Sequence, residues 1–398
     1  MVYQSGRNVG VSYKSEGATY GALAGAVGAK AFRPNSGGLT LAKEPIRSNE
    51  VRRDGMTTRG RHGSRSVTGS YAADLSLGSF DDLIEAVFRG TFAPALVVTE
   101  ATAGLTSITT TANTIVAAAG SWITAGLRVG DVVRLTGHSS AANNDRNLRI
   151  TALTATTMTV AETLTVNAAA DTAFTVTRPK KLTQGLVARS FNFEEHEADI
   201  DGSEVFKGVR VGSMQVQLQP NGMCILTFGL VGQDMEVMTG AQAPYFTAPT
   251  EYVSVGMTAV EAMIRIGTAD VLDVSTMDFT INLNASGVPV VGSVVTPDVF
   301  TNLASVEGSV TALKSDVTRS QQYLNETELS MHLMFTEKES GAADFCSFFI
   351  GNFTLATATK GEIGTDNART QTFTLLTGVD ERGGAFDRTI VKYQTSAA

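Results

Sequence analysis

EVFKGVRVGSMQVQLQPNGMCILTFGLVGQD, residues 204–234, contains the clearest strand pair of the chain. Apolar side chains alternate with polar ones on both sides of Pro220-Asn221-Gly222, a sequence that supplies a turn with a positive-φ position. The alternating apolar residues are Met214, Val216 and Leu218 before the turn and Cys224, Leu226 and Phe228 after it. This period of two predicts a β-hairpin with one buried face and one face in water.

The same alternation recurs along the rest of the chain, at residues 279–283, 329–335 and 373–375. His332 falls between the apolar residues of its segment, so we expect it on the polar face of its strand. The repeated pattern predicts a mainly β fold, an antiparallel β-sandwich or barrel.

Residues 81–89 are the one segment with helical periodicity. Four apolar side chains fall on one face: Leu83, Ile84, Val87 and Phe88. Ser79 is a candidate N-cap with Asp82 as its capping-box partner, and Gly90 can end the helix. The pattern predicts a single short helix that flanks the β-structure.

The composition shifts to Thr and Ala, with little charge, over residues 98–178. Short strand patterns fill this stretch, and main-body patterns lie on both sides of it. We therefore predict a small all-β domain at 98–178, inserted into a discontinuous main domain formed by 1–97 and 179–398, at its outer surface. Trp122, the single tryptophan, is interpreted as a core residue of the insert.

The net charge of −8 is unevenly distributed. Twelve basic and eight acidic residues give positions 1–98 a charge of +4, which leaves −12 on the other 300 residues. A nucleic-acid-binding protein usually has the opposite overall balance. A basic end and an acidic body instead favour association between copies of the chain.

Residues 43–65 carry the strongest charge feature, with seven basic and three acidic groups and little apolar periodicity. In an isolated monomer the segment would be a solvated loop. A long irregular loop in a compact domain is, however, typical of one with a function, such as docking on a neighbour. The arginines that we consider as candidates for such contacts are Arg47, Arg52, Arg53, Arg59, Arg61 and Arg65.

No motif for catalysis or for phosphate binding occurs in the sequence. His196 lies within an acidic segment that is either a candidate site for a hard cation or, as we favour, a solvent-facing strand end. The acidic residues of this segment are Glu194, Glu195, Glu197, Asp199, Asp201 and Glu204. We predict no enzymatic activity, no cofactor and no metal. Two cysteines are too few for a disulfide-stapled scaffold, and the N-terminal residues show no secretory signal, so we expect synthesis in the cytoplasm and no membrane association.

Three segments together suggest a family. IRSNEVRRDGMTTRGRHGSRSVTGSYAADLSLGSFDDLIEAVFRGTF, residues 46–92, resembles the N-terminal half of the tail tube proteins of long-tailed bacteriophages. Residues 204–234 resemble the central hairpin of those proteins, and DFTINLNASG, residues 278–287, resembles the strand that follows. The order of the three segments is more specific than any one of them.

The resemblance implies a virion protein, made in the cytoplasm of a host cell, whose hexameric rings stack into a hollow tail tube. Its partners would be copies of itself, a tape-measure protein, tail tip and terminator proteins, and DNA that passes without specific binding. The loop at 44–65 would contact neighbouring subunits, and the acidic segment around His196 is a candidate docking surface for it.

A bore that passes DNA should be polar and should lack clusters of Lys or Arg, which would hold phosphates. Candidates for its lining are Gln215, Gln217, Gln219, Thr280, Asn282 and Asn284. These strand faces could equally meet the outside solvent. The alternative function is a surface-binding or decoration protein that uses the insert, which would need exposed aromatic residues at 98–178, where only Trp122 and Phe174 occur.

Overall fold

The computed structural model describes residues 3–338, 342–364 and 368–397. Within these ranges the protein is mainly β, its strands pair antiparallel, and the sheets do not close into a barrel. The mainly β, antiparallel fold class predicted from the sequence is confirmed.

The elements follow the chain in three groups. The first group is β1 Val9–Ser15, β2 Lys30–Phe32, β3 Ser36–Ile46, β4 Arg61–Asp74 and α1 Asp81–Phe88. The second is β5 Leu96–Thr99, β6 Ile108–Thr110, β7 Thr114–Ala117, β8 Val132–Thr136, β9 Asn147–Leu153, β10 Thr157–Val160, β11 Asn167–Asp171 and β12 Thr175–Arg178. The third is β13 Lys181–Thr183, β14 Phe191–Glu197, β15 Gly202–Leu218, β16 Ile225–Gly232, β17 Asp234–Thr239, β18 Ala262–Ile266, β19 Ala269–Asp270, β20 Val274–Asn282, β21 Ser286–Gly287, β22 Val299–Phe300, β23 Ser305–Leu313, α2 Thr318–Leu324, β24 Leu329–Thr336, β25 Phe345–Lys360, β26 Thr370–Thr377 and β27 Val391–Thr395.

The large sheet folds over itself into two layers. One layer pairs in the order β3-β4-β16-β15-β20-β23-β26. The other contains β18, β24, β27 and β13, and the long strand β25 joins the layers because its two halves pair with different neighbours. The rings of Phe279 and Phe348 meet between the layers with centroids 5.2 Å apart. The main core therefore lies between the two layers, as in a sandwich.

The predicted hairpin forms β15 and β16. Met214 pairs with Phe228, and Val216 pairs with Leu226. All four side chains are buried, whereas the glutamines between them are partly exposed. Asn221 supplies the positive-φ position of the turn, with φ of 58°.

Helix α1 forms over Asp81–Phe88, but its ends differ from the prediction. Phe80 is the N-cap residue, because the buried hydroxyl of Ser79 instead contacts the hydroxyls of Ser76 and Ser254, at 2.8 and 3.0 Å. At the other end Arg89, and not Gly90, adopts the left-handed conformation. The sequence also gave no indication of α2, which has no buried residues and so lacks an apolar stripe.

Strands β5 to β12 form a separate eight-stranded sheet with its own core. Trp122 is fully buried there, its ring edge-on to Phe174 and its Nε1–H bonded to the carbonyl of Thr156 at 3.1 Å. The prediction that this residue belongs to a core is confirmed. We call this unit the small sheet; its status as an inserted domain at 98–178 stays a prediction, although its strands run from Leu96 to Arg178.

The expectation for His332 is wrong. The small sheet covers the face of β24 and β25 that points away from the main core, so these strands are buried on both faces. His332 is 3% exposed and packs edge-on against Phe349, with ring centroids 5.4 Å apart. Burial lowers the pKa of His332 well below its usual value, and nearby cations, Arg149 first, lower it further.

Candidate assembly surfaces

The predicted basic loop is the tip of a long hairpin. Strands β3 and β4 pair as far as Ile46 and Arg61, so the irregular part is residues 47–60 and not the whole of 44–65. Arg61 and Arg65 consequently lie on β4, and the other four candidate arginines lie on the loop. We call residues 47–61 the basic tip.

The side chains of the basic tip extend into solvent. Val51 is fully exposed and Met56 is 69% exposed. Arg52 is paired with Asp54 at 2.7 Å within the tip itself. Among the described residues, four arginines of the tip have no ion-pair partner: Arg47, Arg53, Arg59 and Arg61. The tip therefore presents free positive charge together with exposed apolar groups.

Arg65 lies at the base of the hairpin and differs from the others. Its guanidinium is 3.1 Å from Asp234 at the start of β17, and its backbone N–H donates to the carbonyl of Val294 at 2.8 Å. This residue anchors the hairpin within its own subunit.

Glu194 must be removed from the candidate docking surface. It is 1% exposed, and its carboxylate accepts hydrogen bonds from the hydroxyl of Ser203 at 2.7 Å and from the backbone N–H groups of Tyr245 and Phe246 at 2.6 and 2.9 Å. Strand alternation explains the error, since Glu194 and Glu195 point to opposite faces of β14. Its role is to hold residues 245–246 against β14 and β15.

Glu195, Glu197 and Glu204 lie on one face of the β14–β15 pair, and Glu195 and Glu204 are directly opposite in its register. Like charges in this position repel. Burial, followed by the charges of Glu195 and Glu197, raises the pKa of Glu204 above its usual value. Glu195 also accepts a hydrogen bond from the backbone N–H of Leu39 at 2.9 Å. We call these three carboxylates the acidic face.

The remaining two acidic candidates lie beside this face. Asp199 accepts hydrogen bonds from the backbone N–H of Ser5 at 2.8 Å and from the side-chain amide of Asn8, which lower its pKa. Asp201 is exposed, in the turn that precedes β15, with φ of 53°. Asp199 thus fixes the N-terminal segment, and Asp201 faces solvent.

The polar candidates share one face of the first layer. Gln215 is directly opposite Thr280, and Asn282 is opposite Ser213; Gln217, on the same face, is opposite Asp278. Gln219 and Asn284 are exposed just beyond the strand ends.

Sequence reasoning missed that the next two strands continue this face. Their contribution is Glu307, Ser309 and Thr311 of β23 and Thr372 and Thr374 of β26. Together with Asp278 these residues add two carboxylates but no Lys or Arg. Their alternation with Val310 and Phe373 was visible in the sequence and could have identified them. We call the whole surface the polar face.

The polar face and the small sheet lie on opposite sides of the molecule. The polar face is the side of the first layer turned away from the main core, and the small sheet covers the side of the second layer turned away from that core. Any axis that the polar face lines would therefore leave the small sheet on the outside.

A buried charge cluster joins the small sheet to the second layer, and no pattern in the sequence indicates it. Asp131 is fully buried, 2.7 Å from Nζ of Lys392 and 3.3 Å from Nζ of Lys181. Both lysines also contact Asp387, at 3.0 and 2.8 Å. Burial lowers the pKa of Lys181, against the attraction of the two carboxylates. We call these four residues the joint cluster.

The described residues offer no constellation for metal chemistry: none of their His, Cys, Asp and Glu side chains form a group of three or more that could hold a metal ion. Both cysteines are buried, and burial raises the pKa of each thiol. No helix in the described part of the chain is long and apolar enough to span a membrane.

A family model described as phage tail tube protein matches residues 6–375. No curated protein sequence matches the chain.

Proposed function

The chain belongs to the phage tail tube protein family, and from this we propose that its copies form hexameric rings that stack into a hollow tube through which DNA passes during ejection. Membership makes it a structural protein of the virion tail, which assembles into a tube with other tail proteins. We include among those partners a tape-measure protein and tail tip and terminator proteins. The subunit would be made in the host cytoplasm and would have no catalytic role.

The observation that carries the proposal is the composition of the polar face. It extends over four neighbouring strands, with amides, hydroxyls and two carboxylates as its polar groups and without Lys or Arg among the residues named above. Cationic side chains bind DNA by releasing counterions from its phosphates, so a surface without them lets DNA slide. We assign the polar face to the lumen, which puts the small sheet on the outside of the tube.

Contacts within a ring would use the free edge of the first layer and the charged surfaces. Among the described strands β3 pairs only with β4. On its other edge the N–H of Leu39 donates to Glu195, and the backbone groups beyond Leu39 are open for pairing with a neighbouring copy. We propose that the basic tip of one copy docks on the acidic face of the next, with Asp199 and Asp201 at its border. An incoming arginine would relieve the repulsion between Glu195 and Glu204.

Electron microscopy of the purified protein tests this function, with rings and tubes as the expected result. The variant R52S/R53S/R59S/R61S should retain the melting temperature of the wild type, because these side chains are exposed, but should assemble poorly. The control R7S/R388S removes exposed positive charge elsewhere and should assemble normally. Normal tubes from the tip variant would exclude the docking role, and a strictly monomeric wild type at high concentration would contradict the tube itself.

A second candidate function, receptor binding or decoration through the small sheet, finds less support. Both aromatic residues of 98–178 are buried, so neither Trp122 nor Phe174 is available to a glycan.

A further inference from the structure

An apolar loop projects from one end of the first layer. Residues 288–294, which we call the valine loop, read VPVVGSV and connect β21 to β22. Val291 is fully exposed, and Val288, Val290 and Val294 are 52%, 45% and 56% exposed. Exposed apolar groups in such a cluster indicate a contact site.

The base of the valine loop is braced. Arg210 is paired with Asp298 at 2.8 Å, and the carbonyl of Val294 accepts the N–H of Arg65. The pairing of β21 with β22 closes the excursion. The loop is therefore presented on fixed structure, which reduces the entropy that binding would cost.

A cleft of about 650 Å³ opens at the other end of the same layer. Its walls are formed by the β18–β19 hairpin, the end of β23, α2 and the first residues of β24 and β26. Leu272 and Leu313, which are 97% and 46% exposed, stand at its rim, and the buried side chains of Ile266 and Phe373 also line it. We call it the end cleft.

Most polar groups of the end cleft already have partners. Asp270 is paired with Arg149 and Arg265, at 3.0 and 3.1 Å. Asp316 accepts the backbone N–H of Thr318 at 2.8 Å, and Lys314 contacts Gln371 at 3.3 Å. The unsatisfied part of the cleft is its apolar rim, so a neutral apolar segment fits it better than a charged ligand.

The loop and the cleft lie at opposite ends of one strand pair. Val274 of β20 pairs with Ala312 beside the cleft, and Asn282 pairs with Ser305 beside the loop. Nine-residue strands separate these ends by about 27 Å. One copy therefore cannot fill its own cleft, whereas the next copy along the strand direction can.

Charge favours the same arrangement. Four acidic and two basic side chains line the cleft, which leaves it net negative. The basic tip belongs to the opposite end, because Arg65 on β4 contacts Val294 and Val295 at the base of the valine loop. Unlike ends attract and orient approaching copies.

We propose that the valine loop of one copy inserts into the end cleft of the next, as a head-to-tail contact that joins successive rings. The inference rests on the proposed tube function and identifies the contact that would hold successive rings together. A contact between two different surfaces does not close on itself when the copies are related by translation, so it propagates along an axis.

Cross-linking tests the contact directly. Cys224 and Cys346 are fully buried, so cysteines introduced at Val291 and Leu272 would be the accessible ones. With a short bismaleimide, assembled V291C/L272C should give a ladder of dimers, trimers and longer chains on a denaturing gel. The single variants V291C and L272C are the controls and should remain monomeric. Dimers from V291C alone, or tubes of the double variant without a ladder, would overturn the head-to-tail contact while leaving the tube function intact.

If V291C/L272C fails to assemble, a complementation experiment provides a second test of the contact. V290D/V291D keeps an intact cleft, and L272D keeps an intact loop; the changed side chains are exposed, so melting temperatures should match the wild type. Each variant alone should form rings but lose stacking, and preformed rings of the two mixed together should give stacks of two rings and no longer tubes. Full-length tubes from either variant alone would refute the inference. Loss of rings as well as tubes from the wild type would instead contradict the proposed function.

Discussion

Asp387 offers a quantitative test of how the small sheet is held. Its carboxylate lies 2.8 Å from Nζ of Lys181 and 3.0 Å from that of Lys392. Asp387→Asn keeps the shape of the side chain and removes its charge, which leaves Asp131 as the one carboxylate among the described residues that pairs with the two buried lysines. Removing one partner of a buried ion pair lowers the free energy of unfolding by roughly 3–5 kcal/mol. Since Asp131 still balances part of the charge, we expect a loss of about 3 kcal/mol in the free energy of unfolding.

The same residue predicts a pH dependence. Burial alone would raise the pKa of Asp387, but Lys392 and Lys181 lower it to about 2. In the unfolded chain it is about 3.9, so the folded protein binds this proton more weakly. The stabilisation is therefore complete above about pH 5 and is lost as the pH falls toward 2. The shift of about two pH units corresponds to roughly 2.6 kcal/mol, of which about 1.2 kcal/mol is lost by pH 3.

Urea unfolding at pH 7, 5 and 3 measures both effects. Trp122 reports on the small sheet by fluorescence, and circular dichroism reports on all the strands. The wild type should lose about 1.2 kcal/mol more than Asp387→Asn between pH 7 and pH 3, because other carboxylates titrate in both proteins. Glu381→Gln, in an exposed pair with Arg388, is the control and should change stability by less than 0.5 kcal/mol, roughly the limit for surface sites. The reasoning fails if Asp387→Asn unfolds within about 1 kcal/mol of the wild type at pH 7 or keeps its pH slope.

Two further predictions concern the polar face and the central turn. Q215K/T280K places two lysines directly opposite each other on the polar face, so tubes of this variant should retain DNA in a filter-binding assay, and the retention should fall steeply as salt rises. The control A168K/A170K places two lysines at exposed positions of the small sheet. Equal DNA retention by both variants would show that the polar face is not the lumen. Asn221→Ala should lower the free energy of unfolding by about 1 kcal/mol, because alanine tolerates φ of 58° less well than asparagine. Asn221→Gly should have the stability of the wild type. Equal stability of the two variants in urea unfolding would contradict the turn conformation.

Local alternation accounts for the parts of the fold that could be predicted. Residues 213–218 of β15, strand β16 and the segments of β20 and β26 show a period of two, because each buries one face only. The pattern failed at β24, where His332 is buried by a sheet that comes from more than 150 residues earlier in the sequence. The packing of one sheet on another is a tertiary event, and no periodicity within β24 records it.

The charge of each surface could be predicted from the sequence, but the position of its residues in the fold could not. Counting charges identified the basic segment and the acidic segment, yet it did not separate Glu194, which is buried, from Glu195 on the other face of the strand. The joint cluster combines residues 131, 181, 387 and 392, whose proximity depends on the docking of β8 and β27 in three dimensions. The end cleft likewise combines residues of six elements, β18, β19, β23, α2, β24 and β26.

The positions of these surfaces indicate how the two proposed kinds of contact could coexist. The basic tip lies at the end of the first layer that carries the valine loop, because Arg65 contacts Val294 and Val295, whereas Glu195 of the acidic face is bonded to Leu39 near the start of β3. A contact between the tip of one copy and the acidic face of another closes a ring when the neighbours are related by rotation. The valine loop and the end cleft are instead separated along the strands, which suits neighbours related by translation. Moderate sodium chloride screens the charges of the contact between the basic tip and the acidic face, so it should weaken rings. Ammonium sulfate strengthens apolar burial, so it should favour the contact between the valine loop and the end cleft and hence stacking.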